Sequence, residues 1–324
     1  MHINKINFLS GKISKKTSVN FIFDKKVISF LNDLSVSILK SKKISNPEIV
    51  TFAFWCRLSN MKRLSKNYSN SKIKIGKGKI LHISPKNVPI NFAYSLVVGL
   101  LSGNQNIVRV HSVNCEITKF ISNQIDNLIK KKYQILRDFI TICSYDSKSN
   151  VTEKLSKICN ARIIWGGDNT VENIRKIKCS PDNIDIAFPD RYSLAIINLK
   201  NIKMNSLKSL TKNFYNDSYL MNQAACSSPH VVIWINHETK GSYINKFWDS
   251  LYKLSKEKYR NDYALKYFKI ERSYKNLIEF KNNLKNFKNF NNFLHVSDLK
   301  NINFQFEKLR GFGGSFYSYK AKNL

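Results

Sequence analysis

The sequence predicts an α/β fold in two parts, a mainly parallel sheet followed by a second α/β unit. Three observations carry that reading. From Lys79 onward, short β-branched runs alternate with amphipathic stretches, the pattern of β-α-β units. At 324 residues and 43% hydrophobic composition, the chain has enough apolar material for one large core or two ordinary ones. Near residue 200 the pattern restarts, and no internal repeat relates the two halves.

Residues 1–75 show helical periodicity over Lys25 to Leu39 and Glu48 to Leu64 and carry no motif tied to chemistry. They are expected to form an N-terminal helical segment. Strands follow at Ile80 to Ser84, Asn106 to Val110, Phe139 to Cys143, Arg162 to Trp165, Ile184 to Phe188 and Leu194 to Asn198. Helices are expected between them, at Ile90 to Leu101, Glu116 to Lys131, Val151 to Lys157 and Thr170 to Lys176. Residues 76–200 thus read as a nucleotide-binding type of domain. In residues 201–324, helices are expected at Leu207 to Tyr215 and Ser218 to Ala225, a strand at His230 to Ile235 and a long helix at Ser242 to Lys256. The Asn/Lys-rich tract from Tyr274 to Asn292 reads as a polar amphipathic helix and connecting loop with a solvated surface.

The formal net charge of +32 suits an anionic partner and keeps a basic nucleic-acid-binding protein open as one function class. Against it, the lysines are scattered, and stretches such as "LIEFKNNLKNFKNFNNF" point to a general compositional bias. Cys56, Cys115, Cys143, Cys159, Cys179 and Cys226 form no C-x-x-C pair and no zinc-ligand spacing, so no metal site is expected. The start, "MHINKINFLSGKISKK", lacks the apolar core of a signal peptide. The most apolar run, Val88 to Leu101, is interrupted by Asn91 and Ser95 and falls short of a membrane span. A cytoplasmic protein with free thiols is the expectation.

Four local features could carry chemistry. In "LMNQAACSSPH", Cys226 is surrounded by Ala224, Ala225, Ser227 and Ser228, which leave room for a substrate beside the thiol. Inert packing is the other reading of any cysteine. In "HISPKNVPINF", Pro85 fixes the strand exit and Pro89 suits the start of the next helix, holding Asn87 at a rigid junction. Its amide could donate to an oxyanion, or Asn87 could be a turn residue or helix cap. In "IIWGGDNTVENIRK", Gly166 and Gly167 lead into a helix whose first residues include Thr170, an arrangement that suits pyrophosphate and equally a simple turn. Arg109, near the end of its strand, could grip a ribose or a 2′-phosphate, or be a surface charge. Neither a G-x-G-x-x-G fingerprint nor a P-loop is present.

Taken in order, "SPKNVP", "GNQNIVRV", "IIWGGDNTV", "FPDRYSLAIIN" and "NQAACSSPH" resemble the LuxC-type acyl-CoA reductases of the aldehyde dehydrogenase superfamily, from about Lys79 to Ile235 and more weakly through "LRGFGGSFYSY". The resemblance implies an aldehyde dehydrogenase-like fold, with NADPH on a Rossmann-type domain and a catalytic (thioester) domain after it. It makes Cys226 the nucleophile and Asn87 the oxyanion donor, with Arg109, Gly166, Gly167 and Thr170 along the cofactor. It implies reduction of an acyl-CoA or acyl-carrier-protein thioester to the aldehyde through an acyl-cysteine. Aldehyde-oxidising members carry a water-activating glutamate in the region where this chain has Phe188, Pro189, Asp190 and Arg191, so the acyl group is expected to outlast hydrolysis. His230 reads either as a proton donor or as an ordinary strand residue. The chain is short at both ends relative to that family, so the catalytic domain is expected to be incomplete. A homo-oligomer, or a hetero-complex with an acyl-transferring or acyl-activating partner, is implied. A noncatalytic or partner-dependent subunit is the alternative to a self-sufficient reductase.

Overall fold

In the computed structural model, residues 6–41, 46–68, 72–200, 202–236, 241–260 and 263–321 are described. The chain divides into two compact units, Met1–Asp190 and Arg191–Leu324.

The first unit runs β1 (Asn7–Ser10), α1 (Lys25–Lys40), α2 (Pro47–Trp55), α3 (Leu58–Lys66), β2 (Lys79–Ile83), α4 (Asn91–Leu101), β3 (Gln105–Arg109), α5 (Glu116–Lys131), β4 (Ile140–Ser144), α6 (Val151–Ile158), β5 (Ala161–Gly166), α7 (Asp168–Arg175) and β6 (Ile184–Pro189). The apolar stretch read as one helix over Glu48 to Leu64 is two, because Arg57 leaves the helical region with ψ 146°. Its sheet has the order β1-β4-β3-β2-β5-β6, all parallel except β1. From β2 the chain winds outward through β3 and β4, then returns to the other side of β2 with β5. The order therefore reverses between β2 and β5, and ligands of open α/β sheets bind beyond the carboxyl ends of the strands at such a point.

A buried hydrogen-bond chain fixes α4 on this sheet. Asn106 Nδ2 donates to the carbonyls of Asn104 (2.7 Å) and Phe139 (3.3 Å), so its Oδ1 must accept from His82 Nε2 at 2.9 Å. His82 Nδ1 is then the acceptor for Ser95 Oγ at 2.8 Å, and Ser95 Oγ accepts from Trp165 Nε1 at 3.2 Å. Burial lowers the His82 pKa to about 4, more than its bond to Asn106 raises it, so the ring is neutral. Gly99 is required by close approach: a Cβ there would lie 1.9 Å from Asn106 Oδ1.

The second unit runs β7 (Ser193–Asn198), α8 (Leu207–Ser218), β8 (Pro229–Ile235), α9 (Gly241–Lys258), α10 (Tyr263–Glu279), β9 (Leu284–Phe290), β10 (Leu294–Leu299) and β11 (Ser315–Lys320). Its sheet order is β7-β8-β11-β10-β9, parallel except for the β9 edge. One face is packed by Phe214, Tyr219, Trp234, Phe247, Trp248 and Phe316. Two expectations fail here. Residues 219–228 are a series of turns, since α8 stops at Ser218 and both Asn222 (φ 52°) and Gln223 (φ 61°) are left-handed. The Asn/Lys tract includes strand β9, whose polar composition suits a solvent-facing edge strand protected by lysines.

Candidate functional site

Five of the six candidate residues lie at one edge of the first unit. Asn87 is exposed in the loop leaving β2, Arg109 ends β3, and Gly166 ends β5, followed by Gly167 and, in the first turn of α7, Thr170. These are the carboxyl ends of three adjacent parallel strands, with the reversal point between β2 and β5 among them.

Two polar atoms at this edge are buried without partners among the described residues: Ser84 Oγ, just past β2, and Arg109 Nε. A buried unpaired polar group costs roughly 1–3 kcal/mol, so such atoms point to a missing partner. The Arg109 guanidinium is otherwise held by its Nη2, which donates to the Tyr145 carbonyl at 3.3 Å, and lies 5.2 Å from the Tyr145 ring centroid. Gly166 fits tightly, since a Cβ would come within 3.0 Å of Thr170 Cβ and Cγ2. At Gly167 a Cβ would meet nothing within 4 Å, and no side chain caps the N-terminus of α7 that follows. Open space before uncapped N–H groups, with a guanidinium one strand beyond β2, fits a dinucleotide. The acidic residue of that first turn is Asp168. Trp165 and Phe188 stack at 4.0 Å between centroids at the same end of β5 and β6.

The sixth residue, Cys226, is exposed on the turn between α8 and β8 in the second unit. That turn is tied at every side. Ser193 Oγ donates to the Cys226 carbonyl at 2.7 Å, Ser228 Oγ donates to the Asp217 carbonyl at 2.8 Å, and Ser228 N–H donates to the Ala225 carbonyl at 2.9 Å. The Cys226 N–H itself donates to no group among the described residues. Beneath the turn, Tyr259 OH donates to Asn222 Oδ1 at 2.7 Å, and Gly313 N–H donates to the Asn222 carbonyl at 3.0 Å. His230 Nδ1 accepts from Gly311 N–H at 3.2 Å. Burial, with the Arg310 and Arg272 charges, lowers the His230 pKa to about 4, so it is a neutral acceptor within the fold.

Local sequence reasoning missed the segment that supports the turn, Gly311–Ser315. A Cβ on Gly314 would lie 2.5 Å from Tyr219 Oη, and one on Gly311 would lie 1.8 Å from the Ser315 carbonyl oxygen. The available signal was the crowding of three glycines into "GFGGS". Between α10 and residues 308–312 lies a cavity of about 520 Å³, lined among others by Phe268, Arg272, Lys275, Lys308, Arg310 and Phe312. Its four cationic side chains outnumber Glu271 and Glu279. Among the described residues there is no cluster of three metal-ligating side chains, and no helix is long and apolar enough to cross a membrane.

The family described as acyl-CoA reductase (LuxC) matches residues 50–247 of the chain. A long-chain acyl-protein thioester reductase of Aliivibrio fischeri is 24% identical over 165 residues, covering 49% of this chain and 32% of that protein. A second such protein, long-chain acyl-protein thioester reductase 2 of Photobacterium leiognathi, is 24% identical over 178 residues, covering 54% and 34%. The matched part thus spans about a third of the length of these curated relatives. Among solved structures, an NAD-dependent benzaldehyde dehydrogenase from Corynebacterium glutamicum has a TM-score of 0.61 at 11% identity, covering 93% of this chain and 72% of that one. An aldehyde dehydrogenase from Bartonella henselae has a TM-score of 0.61 at 13% identity, covering 93% and 68%. At such identities the likeness speaks to the fold alone, which is aldehyde dehydrogenase-like.

Proposed function

Since the chain belongs to the acyl-CoA reductase (LuxC) family, we propose that it reduces a long-chain acyl thioester to the aldehyde with NADPH, through an acyl group carried on Cys226. The observation that carries this reading is the Cys226 turn: an exposed thiol beside a backbone N–H that donates to no group among the described residues, on a loop held by the Ser193 and Ser228 hydrogen bonds and flanked by small residues.

The Cys226 thiolate attacks the thioester carbonyl, and its own N–H takes the developing oxyanion, a donor role that the resemblance to the family assigns to the Asn87 amide as well. Collapse expels the donor thiolate and leaves the acyl group on sulfur. A bound NADPH supplies the hydride for the reduction. Gly166, Gly167 and Thr170 would receive its pyrophosphate at the start of α7, and its ribose side would supply partners to Ser84 Oγ and Arg109 Nε, which have none among the described residues. Phe188, Pro189, Asp190 and Arg191 present no glutamate where oxidising relatives of this fold activate water, which favours reduction of the acyl-cysteine over its hydrolysis. The basic cavity beside α10 suits a phosphorylated ligand. The donor is an acyl-CoA, an acyl carrier protein or an acylated partner subunit, the last in keeping with the acyl-protein thioester reductases among its relatives.

The test is the intact mass of the purified protein after incubation with a long-chain acyl-CoA, with and without NADPH, beside Cys226→Ala. The expected result is an acyl adduct absent from the alanine variant and discharged as aldehyde by NADPH. An adduct that persists in Cys226→Ala would overturn the assignment of the nucleophile. One that NADPH leaves in place would overturn self-sufficient reduction in favour of a partner-dependent subunit.

A further inference from the structure

Gln223, three residues before Cys226, is 1% exposed, and all four hydrogen-bonding capacities of its side chain are used on backbone. Nε2 donates to the carbonyls of Pro229 and Ser315, each at 2.9 Å. Oε1 accepts from Gly314 N–H at 3.2 Å and Ser315 N–H at 3.1 Å. Its own N–H donates to the Ser218 carbonyl at 2.7 Å, at the end of α8. Three places in the unit are therefore joined through one residue: the end of α8, the first residue of β8 and the first residue of β11.

The backbone underneath is strained in a way that such contacts must hold. Asn222 and Gln223 are consecutive left-handed residues, and neither is glycine. Each such residue costs on the order of 1–2 kcal/mol, and persists where surrounding structure over-determines it. The segment that receives the Gln223 amide is shaped to admit it, since a Cβ on Gly311 would lie 2.8 Å from Gln223 Nε2.

We propose that Gln223 is a positioning residue for Cys226: by tying both ends of the Ala224–Ser228 turn to β8 and β11, it sets the direction from which Sγ and the Cys226 N–H meet a thioester carbonyl. This rests on the reading of Cys226 as the nucleophile. Orientation matters for a bulky thioester that must meet sulfur and oxyanion donor together, and hardly at all for a small alkylating agent that needs only the thiolate.

The experiment compares wild-type protein with Gln223→Met, measuring two rates at Cys226 by mass spectrometry: alkylation by iodoacetamide and acylation by a long-chain acyl-CoA. Acylation is expected to fall roughly 10- to 100-fold while alkylation stays within about threefold. A purely structural role would move both together, and that result, or no change in either, overturns the proposal. Wild-type protein that is alkylated at Cys226 but never acylated there removes the nucleophile reading, a different failure from an unchanged variant. If circular dichroism shows Gln223→Met unfolded, Gln223→Glu, which keeps both accepted bonds, is measured in the same way. Failure of both variants to fold makes Gln223 a folding determinant and overturns the proposal too.

Discussion

Replacing Asp185 with leucine should strand a charge in the first unit's sheet. Arg162 is 1% exposed on β5. Its Nε donates to Asp185 Oδ1 at 2.7 Å and its Nη2 to Asp185 Oδ2 at 2.6 Å, across the β5–β6 register. Nη1 is occupied by the Ile177 carbonyl at 3.0 Å and Ser156 Oγ at 3.3 Å. Burial alone would raise the Asp185 pKa, but the hydrogen bonds from Arg162 and Asn183 outweigh it and hold the carboxyl below its usual value. Breaking a buried pair from one side costs about 3–5 kcal/mol, and the 19% exposure of the Asp185 side chain favours the lower end of that range. About 3 kcal/mol corresponds to roughly a hundredfold faster opening. Hydrogen exchange of β5 and β6 peptides reads this for the first unit alone. Arg162→Met combined with Asp185→Leu removes both charges and should return exchange to within about tenfold of wild type. A single variant that changes exchange by less than about fivefold, or a double variant as loose as the single, would refute the dry pair. Because the folded pKa lies below the unfolded one, the pair's contribution is present above about pH 4 and is lost as pH falls through the folded value.

Two further outcomes are expected. Gly99→Ala, which helix propensity alone would favour by about 1 kcal/mol, should instead destabilise the first unit by roughly 2–4 kcal/mol, because its Cβ would strike Asn106 Oδ1 and break the bond to His82. Urea denaturation followed by circular dichroism measures it, and a stabilised variant would sink the account of α4. Lys269, buried at 0% exposure with its Nζ donating to the Asn292 carbonyl, has a pKa lowered to about 7 by burial and by the Lys266 charge. Its folded value lies below the unfolded one, so the second unit should gain stability as pH rises from about 7 toward 10, by on the order of a few kcal/mol. Lys269→Met should abolish that slope in hydrogen exchange of α10 and β10 peptides, and an unchanged slope would show that Lys269 is not its source.

The sequence made the first unit readable wherever apolar periodicity and β-branched runs decide the structure. The strand read over Leu194 to Asn198 as the last of residues 76–200 belongs instead to the second unit, as β7 beside β8, but the helix read over Glu116 to Lys131 has those bounds in the structure, and strands β2 to β6 lie within a residue or two of expectation. Their carboxyl ends assemble Asn87, Arg109, Gly166, Gly167 and Thr170 because parallel strands must end on one side of their sheet. The second unit was read less well for a compositional reason. The abundance of Asn and Lys leaves β9 with apolar residues at every third position, not in the strand's period of two, and the buried positions of α10 given by its packing are Lys269, Ser273 and Asn276, a polar stripe that no hydrophobic pattern would reveal.

That polar stripe also explains why the surroundings of Cys226 could not be read from "LMNQAACSSPH" alone. Ser273 Oγ lies 2.9 Å from His295 Nδ1 and 3.2 Å from Ser315 Oγ, while Asn276 Nδ2 donates to the Arg310 carbonyl at 3.3 Å. Helix α10 therefore holds residues 310–315 from one side, and Gln223 holds the same segment from the other. The turn bearing the thiol takes its shape from groups about 90 residues away in sequence, a distance at which local propensity says nothing. Small neighbours made Cys226 accessible, and that much is local. Its direction depends on a buried amide, three glycines and a polar helix face meeting around one backbone segment, so a substitution in α10 that leaves the thiol untouched should still reach the reaction through Ser315 and Gln223.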